Sequence, residues 1–134
     1  LALMSELKTP IVVVVTGEGG SGGALALGVG DHVAMLEYAT YSVASPEACS
    51  SIVWRSSENA PEAAEAMKVN AKELLKINVI DEIINEPAGG AHRNYDAAAA
   101  LVKSSLIKSL KKFSTFSVSE LIERRYQRLL NIGK

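Results

Sequence analysis

The segment Ile11 to Gly30, IVVVVTGEGGSGGALALGVG, constrains the chain more than any other. Five aliphatic residues, Ile11 to Val15, are followed by seven of the chain's ten glycines, between Gly17 and Gly30. β-Branched residues without polar alternation predict a strand buried on both faces. The glycines after it predict a backbone that turns tightly and is approached closely. Ala24 to Leu27 favour helix, so a helix is expected to begin inside the glycine run. A strand, a glycine turn and a helix N-terminus aim free backbone N–H groups at one point, an arrangement suited to an anion or a developing oxyanion.

Around this segment, strand and helix patterns alternate, which predicts the α/β class. LALMSELKTP predicts the end of a helix stopped by Pro10. Val33–Glu37, Tyr41–Ala44 and Val79–Ile84 predict short strands. Ser45-Pro46-Glu47 predicts a helix start, with Ser45 as N-cap. Asn59 with Glu62 predicts a second start on an alanine-rich helix, and Lys72–Ile77 a short third one. After the turn AGGAHRN, a long helix is expected with the stripe Ala99, Val102, Leu106, Leu110 and Phe113. Ser117 and Glu120 predict a capping box for a last helix striped by Val118, Leu121, Ile122, Tyr126, Leu129 and Leu130. The expected division is residues 1–113 for the main unit and 114–134 for a helical tail.

Charge separates along the chain. Residues 103–134 hold eight Lys/Arg against two acids (+6), leaving six bases against thirteen acids (−7) in residues 1–102. Without aromatic interleaving or a nucleic-acid motif, this tail predicts subunit docking rather than binding to RNA or DNA. No apolar run approaches the ~20 residues of a membrane span. The single Cys49 excludes an internal disulfide and fits a reducing compartment, as a buried structural thiol. Two histidines and one cysteine, far apart, lack metal-ligand spacing. Tyr41 and Trp54 are expected in the core, Glu18 on an exposed loop, and His92 and Arg93 in a turn that bonds to itself. Arg124, Arg125 and Arg128 are expected on the solvated side of the last helix, with subunit contact as the second reading.

Three chemistries fit the glycine run. Gly17-x-Gly19-x-x-Gly22 matches a Rossmann dinucleotide fingerprint, with Glu37 twenty residues on from Gly17 as the ribose acid. Against it, Glu18 would stand beside the pyrophosphate, and the helix before Asp31 is short. Gly19-Gly20-Ser21-Gly22-Gly23 satisfies G-x-S-x-G, with Asp81 and His92 following in α/β-hydrolase order and Ser21 as nucleophile. Such a serine is also easily found by chance between glycines. A backbone oxyanion hole needs only two convergent N–H groups and no titrating side chain. Spacing alone leaves the three open.

The runs PIVVVVTGEGGSGGALALGVGD, TYSVASPEACSSIVW, PAGGAHRN and RRYQRLL, in this order and spread over the chain, resemble the carboxyltransferase α subunit of multisubunit acetyl-CoA carboxylase. The resemblance implies a crotonase-like fold of ββα repeats, partial here, with C-terminal helices. It implies transfer of a carboxyl group from carboxybiotin, on the biotin carboxyl carrier protein, to acetyl-CoA, giving malonyl-CoA in an ATP-dependent fatty-acid pathway. Gly22 and Gly23 are the implied backbone donors to the ureido oxygen of biotin, with Gly19 and Gly20 as the alternative pair. Gly20, Ser21, Gly22 and Gly23 then line the biotin site. The implied partner is a carboxyltransferase β subunit, which carries the zinc and most of the coenzyme A site, in an α2β2 assembly of bacterial cytoplasm or plastid stroma. Leu1 opens inside a helical pattern, so the chain is expected to be the C-terminal part of the subunit, inactive and partner-dependent alone.

Overall fold

The computed structural model describes residues 1–134. Helix α1 (Ala2–Glu6) leads to β1 (Val12–Val15), β2 (Glu18–Gly20) and α2 (Ser21–Leu27). Then come β3 (His32–Leu36), β4 (Thr40–Ser42), α3 (Pro46–Trp54), α4 (Ala60–Met67) and α5 (Ala71–Lys76). The chain continues through β5 (Glu82–Ile84) to α6 (Tyr95–Phe113) and α7 (Val118–Leu130). The strands form two parallel sheets, β1-β3-β5 and β2-β4. Each unit of two strands and a helix therefore gives its first strand to one sheet and its second to the other. This is the ββα repeat that the resemblance implies.

β3 is the centre of the core. Val33, Ala34, Met35 and Leu36 are buried, with Leu74, Ile80 and Ile84 packed around them. The expectation of a first strand buried on both faces is corrected. β1 lies at the sheet edge with β3 as its only neighbour, so Val12 to Val14 are half-buried and only Val15 is buried. Strand Val79–Ile84 is also shorter than expected. Asp81 precedes β5 and exchanges two bonds with Val33, its N–H donating to the Val33 carbonyl (2.8 Å) and its carboxylate accepting the Val33 N–H (2.7 Å).

Ser45 caps α3 by accepting the Ala48 N–H, and Ser117 with Glu120 closes the expected capping box on α7. The cap at Asn59 does not form. Ser56 instead accepts the Glu58 N–H and starts a 3-10 turn, Ser57–Asn59, that feeds α4. The stripe expected on α6 is displaced as well. Its buried face is Ala98, Ser105, Ser109 and Phe113, while Ala99 and Leu110 are exposed and Val102 is half-buried. Small residues on this face allow close approach of the helix, which periodicity of large apolar residues does not reveal.

Two core expectations are corrected: Trp54 is 45% exposed at the end of α3, and Cys49 is only half-buried. Leu25 and Leu27 on α2 and Ile52 and Val53 on α3 also stand exposed. No helix is long and apolar enough to cross a membrane.

The largest departure is Arg125, expected in solvent and found 1% exposed. Its Nε and Nη2 form a forked pair with buried Asp31 (3.0 and 2.9 Å). Nη1 donates to the carbonyls of Met4, Ser5 and Leu7, and Nη2 also to that of Thr9. Asp31 in turn accepts the Ile11 N–H at 2.7 Å. A buried carboxylate and guanidinium are tolerated only when matched in this way. One arginine of α7 thus fixes α1, the approach to β1 and the start of β3. Three residues on, Arg128 donates to Asp81 (2.7 Å) and to the Val79 carbonyl (2.9 Å). Two arginines thus tie α7 to the rest of the chain.

Candidate functional site

β2 carries the glycine run into the second sheet before α2 begins. Gly19 pairs with Tyr41 and Gly20 with Ser42 across β2 and β4. Gly20 is extended (φ −140°, ψ 152°) as N-cap of α2, and no side chain caps the helix. Ser21 opens the helix with φ 57°, a left-handed conformation unusual for a residue with a Cβ. Gly22 and Gly23 complete the first turn, where N–H groups have no intrahelical acceptor.

The glycines divide by what a side chain would meet. At Gly20, Gly22 and Gly23 a Cβ would meet nothing within 4 Å, so this side of the turn is open. At Gly19 a Cβ would lie 2.6 Å from Cδ2 of Tyr41, and at Gly28 it would strike the Tyr41 hydroxyl. The expected pair Gly22–Gly23 is therefore approachable from outside, whereas in the alternative pair Gly19 is already covered. Glu18, Ser21, Gly22 and Gly23 are all exposed.

Beside the first turn of α2 is a cavity of about 590 Å³, walled mainly by apolar side chains. Ser21, Gly22 and Tyr41 line one side, and Leu74, Arg128 and Leu129 another. Tyr41 is half-buried, and burial raises its phenol above the ordinary 10.0, with Arg128 acting in the opposite direction. Its hydroxyl donates to the Ala24 carbonyl at 2.8 Å. The chemistry offered here is a set of backbone donors at an open surface beside an apolar wall.

The other two readings find no support in this arrangement. A dinucleotide fingerprint requires the turn after β1 to enter the helix directly, but Glu18–Gly20 is a strand and α2 has only seven residues. Glu37 follows β3, where its N–H donates to the Ile84 carbonyl. For a serine nucleophile, Asp81 would have to orient His92. Its carboxylate is instead engaged by the Val33 N–H and Arg128. His92 is exposed in a 3-10 turn, Ala91–Arg93, with its ring against Gly90.

Sequence reasoning misses Tyr41 at this site and, away from it, Asp31. Tyr41 reads as plain core, although its place one strand beyond a glycine pair is the pattern of a ring laid over glycine. Asp31 carries no role in the sequence pattern, where it only bounds the short helix after the glycines. An acid between Gly30 and the aliphatic β3 is a signal that a buried cation must exist elsewhere.

The chain matches the family described as "Acetyl co-enzyme A carboxylase carboxyltransferase-like" over residues 1–133. It is 57% identical over 133 residues to the acetyl-coenzyme A carboxylase carboxyl transferase subunit alpha of Aliivibrio salmonicida, covering 99% of this chain and 42% of that relative. With the subunit of the same name from Cupriavidus necator it is 54% identical, covering 100% of this chain and again 42% of the relative. The chain thus spans less than half the length of these relatives. Among solved structures it resembles transcarboxylase 12S, a hexameric multienzyme core crystallised with methylmalonyl-coenzyme A and methylmalonic acid, at a TM-score of 0.54 and 21% identity. That likeness covers 78% of this chain and 22% of the other, and it shows the crotonase-like fold. By a match along nearly its whole length, the chain belongs to the acetyl-CoA carboxylase carboxyltransferase-like family.

Proposed function

We propose that this chain supplies the biotin-facing part of a carboxyltransferase α subunit, which moves a carboxyl group from carboxybiotin to acetyl-CoA and forms malonyl-CoA. The observation that carries this reading is the uncapped first turn of α2, whose Gly22 and Gly23 face open space. Carboxybiotin is a substrate here, delivered on its carrier protein. When it gives up its carboxyl group, negative charge gathers on the ureido oxygen. In this reading the backbone N–H groups of Gly22 and Gly23 donate to that oxygen, with Gly20 and Ser21 forming the adjoining surface. The lack of any Cβ contact within 4 Å at Gly20, Gly22 and Gly23 leaves room for a flat ring to approach the backbone. Donors held by a folded turn stabilise the charge without reorganising, and one such donor is worth roughly a hundredfold or more in rate.

Under this reading the partners are a carboxyltransferase β subunit, in an α2β2 assembly, and the biotin carboxyl carrier protein. The setting is the bacterial cytoplasm or the plastid stroma. The relatives found are bacterial subunits of the same name, which supports the first setting.

The test compares Ser21→Ala with Gly23→Val in the full-length subunit assembled with its β partner, following the reverse transfer from malonyl-CoA to biotin, free or on its carrier. Ser21→Ala should leave transfer within a few-fold of wild type. Gly23→Val, which places a branched side chain where the ring approaches, should lower it by roughly a hundredfold or more with assembly intact. If Ser21→Ala abolishes transfer and Gly23→Val does not, the backbone-donor reading is wrong.

A further inference from the structure

Tyr41 grips the candidate site from three directions. Its ring lies over Gly19, its register partner in β2, so closely that a Cβ there would sit 2.6 Å from Cδ2 and 3.2 Å from Cε2. Its hydroxyl reaches α2, donating to the Ala24 carbonyl (2.8 Å) and filling the space where a Gly28 side chain would go. Its backbone N–H donates to the Val69 carbonyl (3.0 Å), between α4 and α5. One residue therefore ties α2, through its side chain, to β2 and, through its backbone, to the α4–α5 connection.

We propose that Tyr41 is the positioning residue of the glycine turn: it sets where the Gly22 and Gly23 N–H groups point, and so tunes carboxyl transfer without touching substrate. This rests on the function proposed above. α2 has seven residues and is about 10 Å long, only about two turns, so it has little rigid length to average out a displacement. Ala24, whose carbonyl takes the phenol's hydrogen bond, is the residue next to Gly23. A shift of the hydroxyl grip is passed to the donors within a single turn. Two glycines, Gly19 and Gly28, meet this ring at opposite ends, and each is a position where any Cβ would push it aside. Gly17, Gly20, Gly22 and Gly23 meet nothing, so Gly19 and Gly28 accommodate the tyrosine and the others leave the approach open.

The geometry yields a rescue test in the full-length subunit assembled with its β partner. Gly28→Ala drives a methyl into the Tyr41 hydroxyl. Misplacing donors by an ångström lowers turnover by roughly a hundredfold. Tyr41→Phe deletes the hydroxyl and keeps the ring over Gly19. It loses one hydrogen bond, for a reduction of about fivefold. In the double variant the clash with the hydroxyl is gone: the methyl faces Cζ at 3.5 Å, an ordinary contact, and keeps a tighter 3.0 Å approach to the Ala24 carbonyl oxygen. The double variant should therefore recover most of the loss, to within a few-fold of Tyr41→Phe alone, with kcat rather than KM carrying the changes. Hydrogen exchange of residues 20–28 should rise in Gly28→Ala and fall again in the double variant.

A double variant as slow as Gly28→Ala, or slower, overturns the proposal, as does Tyr41→Phe with wild-type kcat. Gly23→Val separates this inference from the reading beneath it. If Gly23→Val leaves transfer intact, the oxyanion-hole reading falls by itself. The exchange rescue over residues 20–28 then decides whether Tyr41 sets α2, and its absence overturns the positioning role directly.

Discussion

Arg125→Met is the most demanding perturbation of this fold. The methionine fills much of the volume but removes every donor. Asp31, with a fully buried side chain, keeps only the Ile11 N–H. The carbonyls of Met4, Ser5, Leu7 and Thr9 lose the guanidinium as well. Breaking a buried ion pair by removing one partner costs about 3–5 kcal/mol, because the remaining charge stays out of water. At about 1.4 kcal/mol per decade, this is roughly a 100- to 4,000-fold increase in local opening. Hydrogen exchange in the full-length protein should show that increase in residues 1–12 and in α7 together, since one side chain joins them. Asp31→Leu added to Arg125→Met should recover part of the loss, because an apolar pair of similar volume leaves no orphaned charge. An increase below about fivefold in residues 1–12, or one confined to α7, would refute the clamp.

Gly19→Ala should destabilise by about 1–3 kcal/mol, because the new methyl overlaps the Tyr41 ring. Gly20→Ala, one residue on and free of contacts, should leave the thermal midpoint nearly unchanged. Ultraviolet titration should find one tyrosine ionising above the ordinary 10.0, lost in Tyr41→Phe. With the folded phenol raised by burial, its contribution to stability is complete below that ordinary value and is lost as pH climbs through the folded one. The Ser117 hydroxyl and backbone N–H hold Glu120 below its usual carboxylate range. This contribution is present above the unfolded carboxylate's range and fades as pH falls through the folded value, so acid should fray the start of α7 earlier in Ser117→Ala, read by exchange of residues 118–122.

Much of this fold is legible from local chemistry. Ser45-Pro46 and Ser117 with Glu120 start helices because their cap geometry is decided within four residues. β3 reads correctly because an unbroken apolar run in a central strand has one interpretation. The helix start inside the glycine run is legible too, but the strand Glu18–Gly20 before it is not, because its partner β4 lies about twenty residues on. What fails is non-local. The five aliphatic residues from Ile11 look doubly buried, but an edge position depends on strand order, which no local pattern encodes. Arg125 reads as solvated because its partner lies 94 residues away, and hydropathy assigns arginine to water. Tyr41 reads as core because an aromatic strand residue usually is. Its role depends on Gly19 and Gly28, at a distance in sequence where only the fold brings them together.

The Asp31–Arg125 pair also imposes an order in time. Synthesis runs from the N-terminus, so the aspartate leaves the ribosome 94 residues before the arginine that neutralises it. Until then β1 and β3 cannot close over Asp31 without trapping a lone charge, and α1 has carbonyls with no donor. The nascent sheet should therefore stay short of its final packing while aliphatic β1 remains uncovered, the interval in which strand edges aggregate. Completion of α7 releases that block. A ribosome stalled before Arg125 should carry a chain whose residues 1–36 are open to protease, and one stalled well beyond it a chain that resists.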